Sequence, residues 1–138
     1  MLVNCNSISG KDVPEKQRFS GESAATDYSP LVIGREYFVF AIIFYANRID
    51  YLISPDNSAP MWVPSCLFSV VDSRLNSNFH AAFIDKNSPF SWLCENYGAR
   101  FIVGYQKITE SFEHFIGLIE RNESDLVAFS KQKSLIDF

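Results

Sequence analysis

The sequence predicts an α+β fold: a small, strongly bent antiparallel sheet or partly open barrel, with a C-terminal amphipathic helix packed on it. Three observations carry this reading. Aromatic residues make up 15% of the chain, and flat rings pack well on a pleated surface. Short apolar runs alternate with turn residues through the middle of the chain, the spacing of hairpins. A sustained 3.6-residue periodicity occurs near the C-terminus, where it marks a helix. A length of 138 residues suits a single domain spanning 1–138, and 47% apolar against 20% charged residues excludes a disordered chain.

In chain order, Leu2, Val3 and Cys5 predict a short first strand. Residues 10–30 are polar, with Phe19 and Tyr28 as their only large apolar side chains, and read as a long mobile loop inserted before the next strand. Gly34 supplies a sharp entry into that strand, since glycine reaches positive φ at no steric cost. Glu36 to Tyr45 and Ile49 to Ser54 are apolar runs joined by Ala46, Asn47 and Arg48, which predicts a hairpin. Alternation places Phe38, Phe40, Ile42 and Phe44 on one side and Tyr37, Val39, Ala41, Ile43 and Tyr45 on the other. Neither side is polar, so this strand needs cover on both faces.

Pro55 to Pro60 reads as a turn, since proline fixes φ and side chains such as those of Asp56 and Asn57 are of the type that bonds back to the main chain. Met61 to Val63 is a strand, Pro64 to Phe68 one helical turn, and Ser69 to Asp72 a strand. Phe79 to Ile84 and Arg100 to Tyr105 read as further strands, with a short helix from Pro89 to Asn96 between them, capped by Ser88. The amphipathic helix runs from Glu110 to Arg121 behind a Thr109 cap, with Phe112, Phe115, Ile116 and Ile119 in its apolar stripe. A last short helix, Ser124 to Ser130, brings Phe129 to the body.

Several chemistries lose their usual signatures. The longest apolar run, Tyr37 to Ala46, is about half the length of a bilayer span. No secretory signal opens the chain, so residence in the cytoplasm is expected. Cys5, Cys66 and Cys94 are widely spaced and read as buried free thiols, neither a disulfide framework nor a zinc knuckle. His80 and His114 sit in no metal-binding spacing and read as flank or core histidines, so no metal is expected. Glycine-rich phosphate loops and the nucleophile elbow are missing, and no cofactor is expected. Asp50, Asp56, Asp72 and Asp85 fall at strand ends or turns, where aspartate ordinarily caps the backbone.

The formal charge of −4 counts against direct nucleic-acid binding, which needs a basic patch. Between Ile108 and Asp125, Glu110, Glu113, Glu120, Glu123 and Asp125 face Arg121 alone, which accounts for the whole net charge. Glu110, Glu113 and Glu120 fall on the helix side opposite the apolar stripe. Such a face is either simply solvated or a docking site that steers a basic partner. Trp92 and Tyr97 are candidate anchors, because such residues dominate interface hot spots; the other reading is that they plug the core.

The run LVIGREY at Leu31–Tyr37, followed by FVFA from Phe38, YLIS from Tyr51 and PMWVPSCLFSVVD at Pro60–Asp72, resembles small bacterial SH3-like barrel proteins. Several of these look like immunity proteins of contact-dependent growth inhibition and related polymorphic toxin systems. The resemblance rests on Gly34, Tyr37, Trp62, Pro64, Phe68 and Asp72, which are fold-determining residues. It implies an SH3-like barrel and a non-enzymatic antitoxin that binds and blocks a cognate toxin domain, such as a basic nuclease. The acidic helix and Trp92 and Tyr97 are then the expected contact residues. Two other classes stay open: an SH3-like adaptor that grips an extended peptide in an aromatic groove, and a small enzyme built on a Cys/His pair brought together in space.

Overall fold

The computed structural model describes residues 1–56 and 58–136; Asn57 of the predicted Pro55–Pro60 turn lies outside the described residues. The fold is α+β, as expected. In chain order the strands are β1 (Leu2–Cys5), β2 (Glu36–Phe38), β3 (Ala41–Phe44), β4 (Ile49–Ile53), β5 (Met61–Pro64), β6 (Phe68–Asp72), β7 (His80–Phe83) and β8 (Phe101–Gly104). The helices are α1 (Ser91–Tyr97), α2 (Gln106–Glu110), α3 (Phe112–Ile119) and α4 (Glu123–Ile136). Two antiparallel sheets form, one in the order β2-β1-β6 and one in the order β5-β4-β3-β8-β7, and among the described residues they do not close into a barrel.

The run predicted as one strand from Glu36 to Tyr45 is broken, because the chain changes sheets inside it. Val39 N–H donates to Met1 O at 3.1 Å in the first sheet, and the next residue, Phe40, donates to Leu52 O at 3.0 Å in the second. The alternation slips by one residue there, so that Phe40 and Ala41 both join the core on the helix side while Val39 and Ile42 join the core between the sheets. A second crossing runs through the 3-10 turn Ser65–Leu67, which connects β5 to β6. The second sheet is therefore the middle of three layers. Tyr51, Ile53 and Val103 face Val3, Cys5 and Tyr37 of the first sheet, while Ile43, Leu52 and Ile102 face Phe115, Leu118 and Phe129 of the helices. The expected double cover of an all-apolar strand is met in this way.

Gly34 has φ +88°, the left-handed region that its turn requires. The polar stretch 10–30 is an insertion between β1 and β2, as expected, but it is tied down by specific contacts. Val13, Tyr28 and Leu31 are buried, and Arg18 donates to the carbonyls of Val13 at 3.1 Å and Gly10 at 3.2 Å.

The C-terminal third departs most from expectation. The helix predicted from Glu110 to Arg121 is two helices, since the backbone at Ser111 is extended (φ −115°, ψ 106°). Ser111, and not Thr109, is the cap: its Oγ accepts the His114 N–H at 3.0 Å, whereas Thr109 lies buried inside α2. The predicted short last helix is 14 residues long and carries Phe129 and Ile136 into the core. Ser88 does not cap α1; its hydroxyl closes a turn with Asp85, and α1 starts three residues later. Among the described residues no helix is long and apolar enough to cross a membrane.

Candidate functional site

The site is built around one buried cation. Arg48, 4% exposed at its side chain, follows β3 and donates from Nε to Asp50 Oδ1 at 2.6 Å and from Nη2 to Oδ2 at 3.0 Å. Nη1 bonds Glu22 and the Gln17 carbonyl, both in the polar insertion. The guanidinium also lies 4.0 Å from the ring centre of Phe19, a cation–π stack. Arg48 thus clamps the insertion onto the β3–β4 hairpin. Burial works against the Arg48 charge, but Asp50 and Glu22 outweigh it and hold its pKa above the usual range. Burial pushes the Asp50 carboxyl up, against the pull of Arg48. For Glu22, burial is outweighed by bonds from Arg48, the Phe19 amide and Tyr28, and its pKa falls below the usual value. Asp50 is accordingly a buried ion-pair partner within β4, not the backbone cap expected there. Asp72 and Asp85 do accept from amides two residues on, at 3.0 and 2.8 Å, and Asp56 pairs with Arg35.

Above this clamp opens an aromatic cleft of about 330 Å³. Phe19 enters from the insertion, Tyr45 from the end of β3, Trp62 from β5, Trp92 and Tyr97 from α1, and Phe115 and Ile119 from α3. Tyr97 is its hub, with ring centres 5.2 Å from Phe19, 5.6 Å from Trp92 and 6.5 Å from Tyr45. Trp92 is 49% and Tyr97 37% exposed, so both predicted anchors reach solvent together on one wall. Trp62 packs on Phe115 at 5.1 Å, and its Nε1 is buried without a hydrogen-bond partner among the described residues. Ile119, assigned by its period to the core stripe, is 56% exposed at the cleft; the break at Ser111 sets α3 as a separate helix whose stripe reaches the surface.

A second, polar groove of about 540 Å³ runs between α3 and the start of α4, and Ile116 lines both it and the aromatic cleft. Three of the five predicted acids, Glu113, Glu120 and Asp125, converge on this groove, with Lys107 the basic residue on its wall. Glu110 is exposed at the end of α2, where its carboxylate accepts from Gln106 at 3.1 Å. Glu123 is exposed too but lies apart, on a shallow hollow with Leu126, Val127 and Lys131.

Asp125 is not the free surface acid that its composition predicts. Its Oδ1 lies 2.8 Å from His114 Nδ1, and His114 Nε2 lies 2.8 Å from the Tyr105 hydroxyl. His114 is 1% and Tyr105 2% exposed, and with the half-buried Asp125 they form a chain of hydrogen bonds that ties the residue before α2 to α3 and α4. Burial, with the nearby Asp125 charge, lifts the Tyr105 hydroxyl far above the usual tyrosine range. Both His114 nitrogens are engaged, neither with a cysteine; His80 lies exposed on β7. Of the thiols expected to be buried, Cys5 is, Cys94 is half-buried and Cys66 is exposed. Among the described residues no three His, Cys, Asp or Glu side chains are grouped so as to hold a metal ion.

Residue type alone picks out Trp92, Tyr97 and the acids. Phe19, Tyr45 and Trp62 join them only through the fold, although an isolated Phe19 in a polar stretch is a signal of its own. Comparison of the chain with family models, curated proteins and solved structures gives no match.

Proposed function

We propose that this chain is an immunity-type inhibitor: a stoichiometric binder that works in the cytoplasm and neutralises a cognate bacterial toxin domain. The observation that carries the reading is the continuity, through Ile116, of an exposed aromatic cleft with an acidic groove. Tight interfaces place aromatic anchors in a pocket and surround them with a polar rim. The half-exposed Trp92 and Tyr97 supply the first, and Glu113 and Glu120 the second. A nuclease toxin must present a basic groove to the phosphate backbone, so an acidic rim is its electrostatic complement and steers the encounter.

The test takes as partner a toxin domain from the neighbouring reading frame, if that frame encodes one, with association followed at low and high salt. Glu110→Lys, Glu113→Lys and Glu120→Lys together slow association at low ionic strength by about tenfold or more and flatten its salt dependence. Trp92→Ala acts on the other rate, raising dissociation roughly thirtyfold, as loss of about 2 kcal/mol at a hot spot requires. Unchanged rates in both variants remove this surface from the interface, and with it the proposed function.

A further inference from the structure

The aromatic cleft has a charge property that its shape does not require. Among the described residues the one charged side chain on its wall is Asp50, and no lysine or arginine lines it. Behind that wall, Asp50 and Glu22 together carry one more formal negative charge than the single Arg48 between them neutralises. The adjoining groove adds Glu113 and Glu120 beyond Ile116, against Lys107 on its wall, and stays acidic on balance. Ring faces are themselves negative, so six aromatic side chains around a pocket with a nearby carboxylate surplus make a place where a cation gains more than a neutral group of equal size.

We infer, on the footing of the protein-binding reading above, that this cleft receives one arginine side chain of the partner, its guanidinium laid against Trp92 and Tyr97. The volume of about 330 Å³ fits a single long side chain and not a helix or a folded loop. Arginine is favoured over lysine because its flat, weakly hydrated head stacks on rings and leaves water more easily. The fold already contains that contact on the inner side of the same wall, where Arg48 stacks on Phe19 at 4.0 Å. Phe19 in turn packs edge-on to Tyr97 at 5.2 Å, so the cleft presents outward the surface type that holds a guanidinium inward. Occupancy by an apolar side chain would use the rings but leave the charge pattern without a role.

The chain has two tryptophans, Trp62 and Trp92, and both line the cleft, so the indole N–H resonances of the whole protein report from this place alone. Full-length protein is titrated with N-acetylarginine methylamide and, in parallel, with N-acetylnorleucine methylamide, which keeps an apolar stem and lacks the charge. The arginine probe moves the indole signals saturably and binds about tenfold more tightly than the norleucine probe, a preference that added salt reduces. Trp92→Leu weakens the arginine probe about fivefold or more, while Trp92→Phe, which keeps a ring face, stays within about twofold. Equal binding of the two probes, no saturable indole shift with arginine, or equal loss in the leucine and phenylalanine variants each overturns the inference. The probe needs no toxin, so a failure here beside a clear effect of the glutamate reversals on toxin association removes the cation and leaves the interface. A positive probe result with unaffected toxin binding removes the proposed function instead.

Discussion

Gly117 offers the sharpest test of how the acidic groove is built. It lies buried in α3, where a glycine costs about 1 kcal/mol of helix propensity relative to alanine. A Cβ there would overlap the Asp125 carboxylate and stand 3.1 Å from the Asp125 Cβ. Gly117→Ala therefore drives the carboxylate off His114, leaving a buried ring nitrogen without its partner at a cost of about 2–3 kcal/mol. Set against the propensity gain, the net loss is about 1–2 kcal/mol. Asp125→Ala removes the same bond directly and costs about 2–3 kcal/mol by itself. In the Asp125→Ala background the overlap is gone and only the 3.1 Å contact remains, so Gly117→Ala becomes neutral or stabilising, by up to about 1 kcal/mol. The coupling between the two sites is then about 2 kcal/mol, within the range of directly contacting residues. Urea denaturation of the four proteins in this cycle measures it. If Gly117→Ala costs the same with and without Asp125, the glycine is there for another reason and the Asp125–His114 bond does not hold α3 to α4.

Alkaline pH provides an independent check on the buried hydroxyls. Burial lifts Tyr28, Tyr45 and Tyr105 well above their ordinary value of 10.0, aided by the negative charges of Glu22, Asp50 and Asp125 respectively. A folded-state pKa raised above the unfolded one stabilises fully below the unfolded value and is lost as pH rises. The stability curve should thus be flat with respect to these groups below about pH 9, begin to fall as pH passes about 10, and steepen toward about 1.4 kcal/mol per pH unit for each tyrosine, about 4 kcal/mol per unit for all three. Urea midpoints that do not move between about pH 9 and 11 would contradict the burial of these hydroxyls. At the clamp, Arg48→Met strands Asp50 as an unpaired buried carboxylate and costs about 3–5 kcal/mol, while the double change with Asp50→Asn recovers much of that loss. A single-variant cost below about 1 kcal/mol in thermal or urea unfolding would show that the insertion is held by other contacts.

The hairpin β3–β4 and the strands β5 to β8 were legible because each is a short apolar run bounded by turn residues, a local pattern that tertiary packing did not override. The broken strand at Phe40 was not, since alternation describes one strand in one sheet and says nothing of a chain that leaves one sheet for another. The apolar stripe of Phe112, Phe115, Ile116 and Ile119 marks a helix correctly, yet Thr109 and Ser111 are both good cap residues. Only the packing of α2 against β7 and β8 decides that the helix restarts at Ser111. The full length of α4 is not legible because Phe129 and Ile136, seven residues apart, are its buried apolar positions, too few to write a stripe. For Asp125, composition gives the charge but not the partner, because His114 lies eleven residues upstream on another helix. Trp92 and Tyr97 could be named as anchors from residue type and short-range context. The walls that turn them into a cleft come from residues 19, 45 and 62, and their meeting is a property of the topology.

Arg48 connects that topology to the proposed function. A polar insertion of this length between two strands is usually the least constrained part of a small domain, free to vary because little depends on it. Here it supplies Phe19, one wall of the aromatic cleft, and Glu22, one of the two carboxylates behind it, and both are positioned by contact with Arg48. The two sheets depend on neither residue for their register. Changes within the insertion that keep Glu22 and the Arg48 contact therefore reshape the cleft while leaving the layered core as it is. Under the proposed function, that separation lets contact residues change on a fixed clamp, as matching one partner and rejecting its relatives requires. Buried ion pairs are often no more stabilising than an apolar replacement, and the use of the one at Arg48 lies in fixing where Phe19 and Glu22 stand.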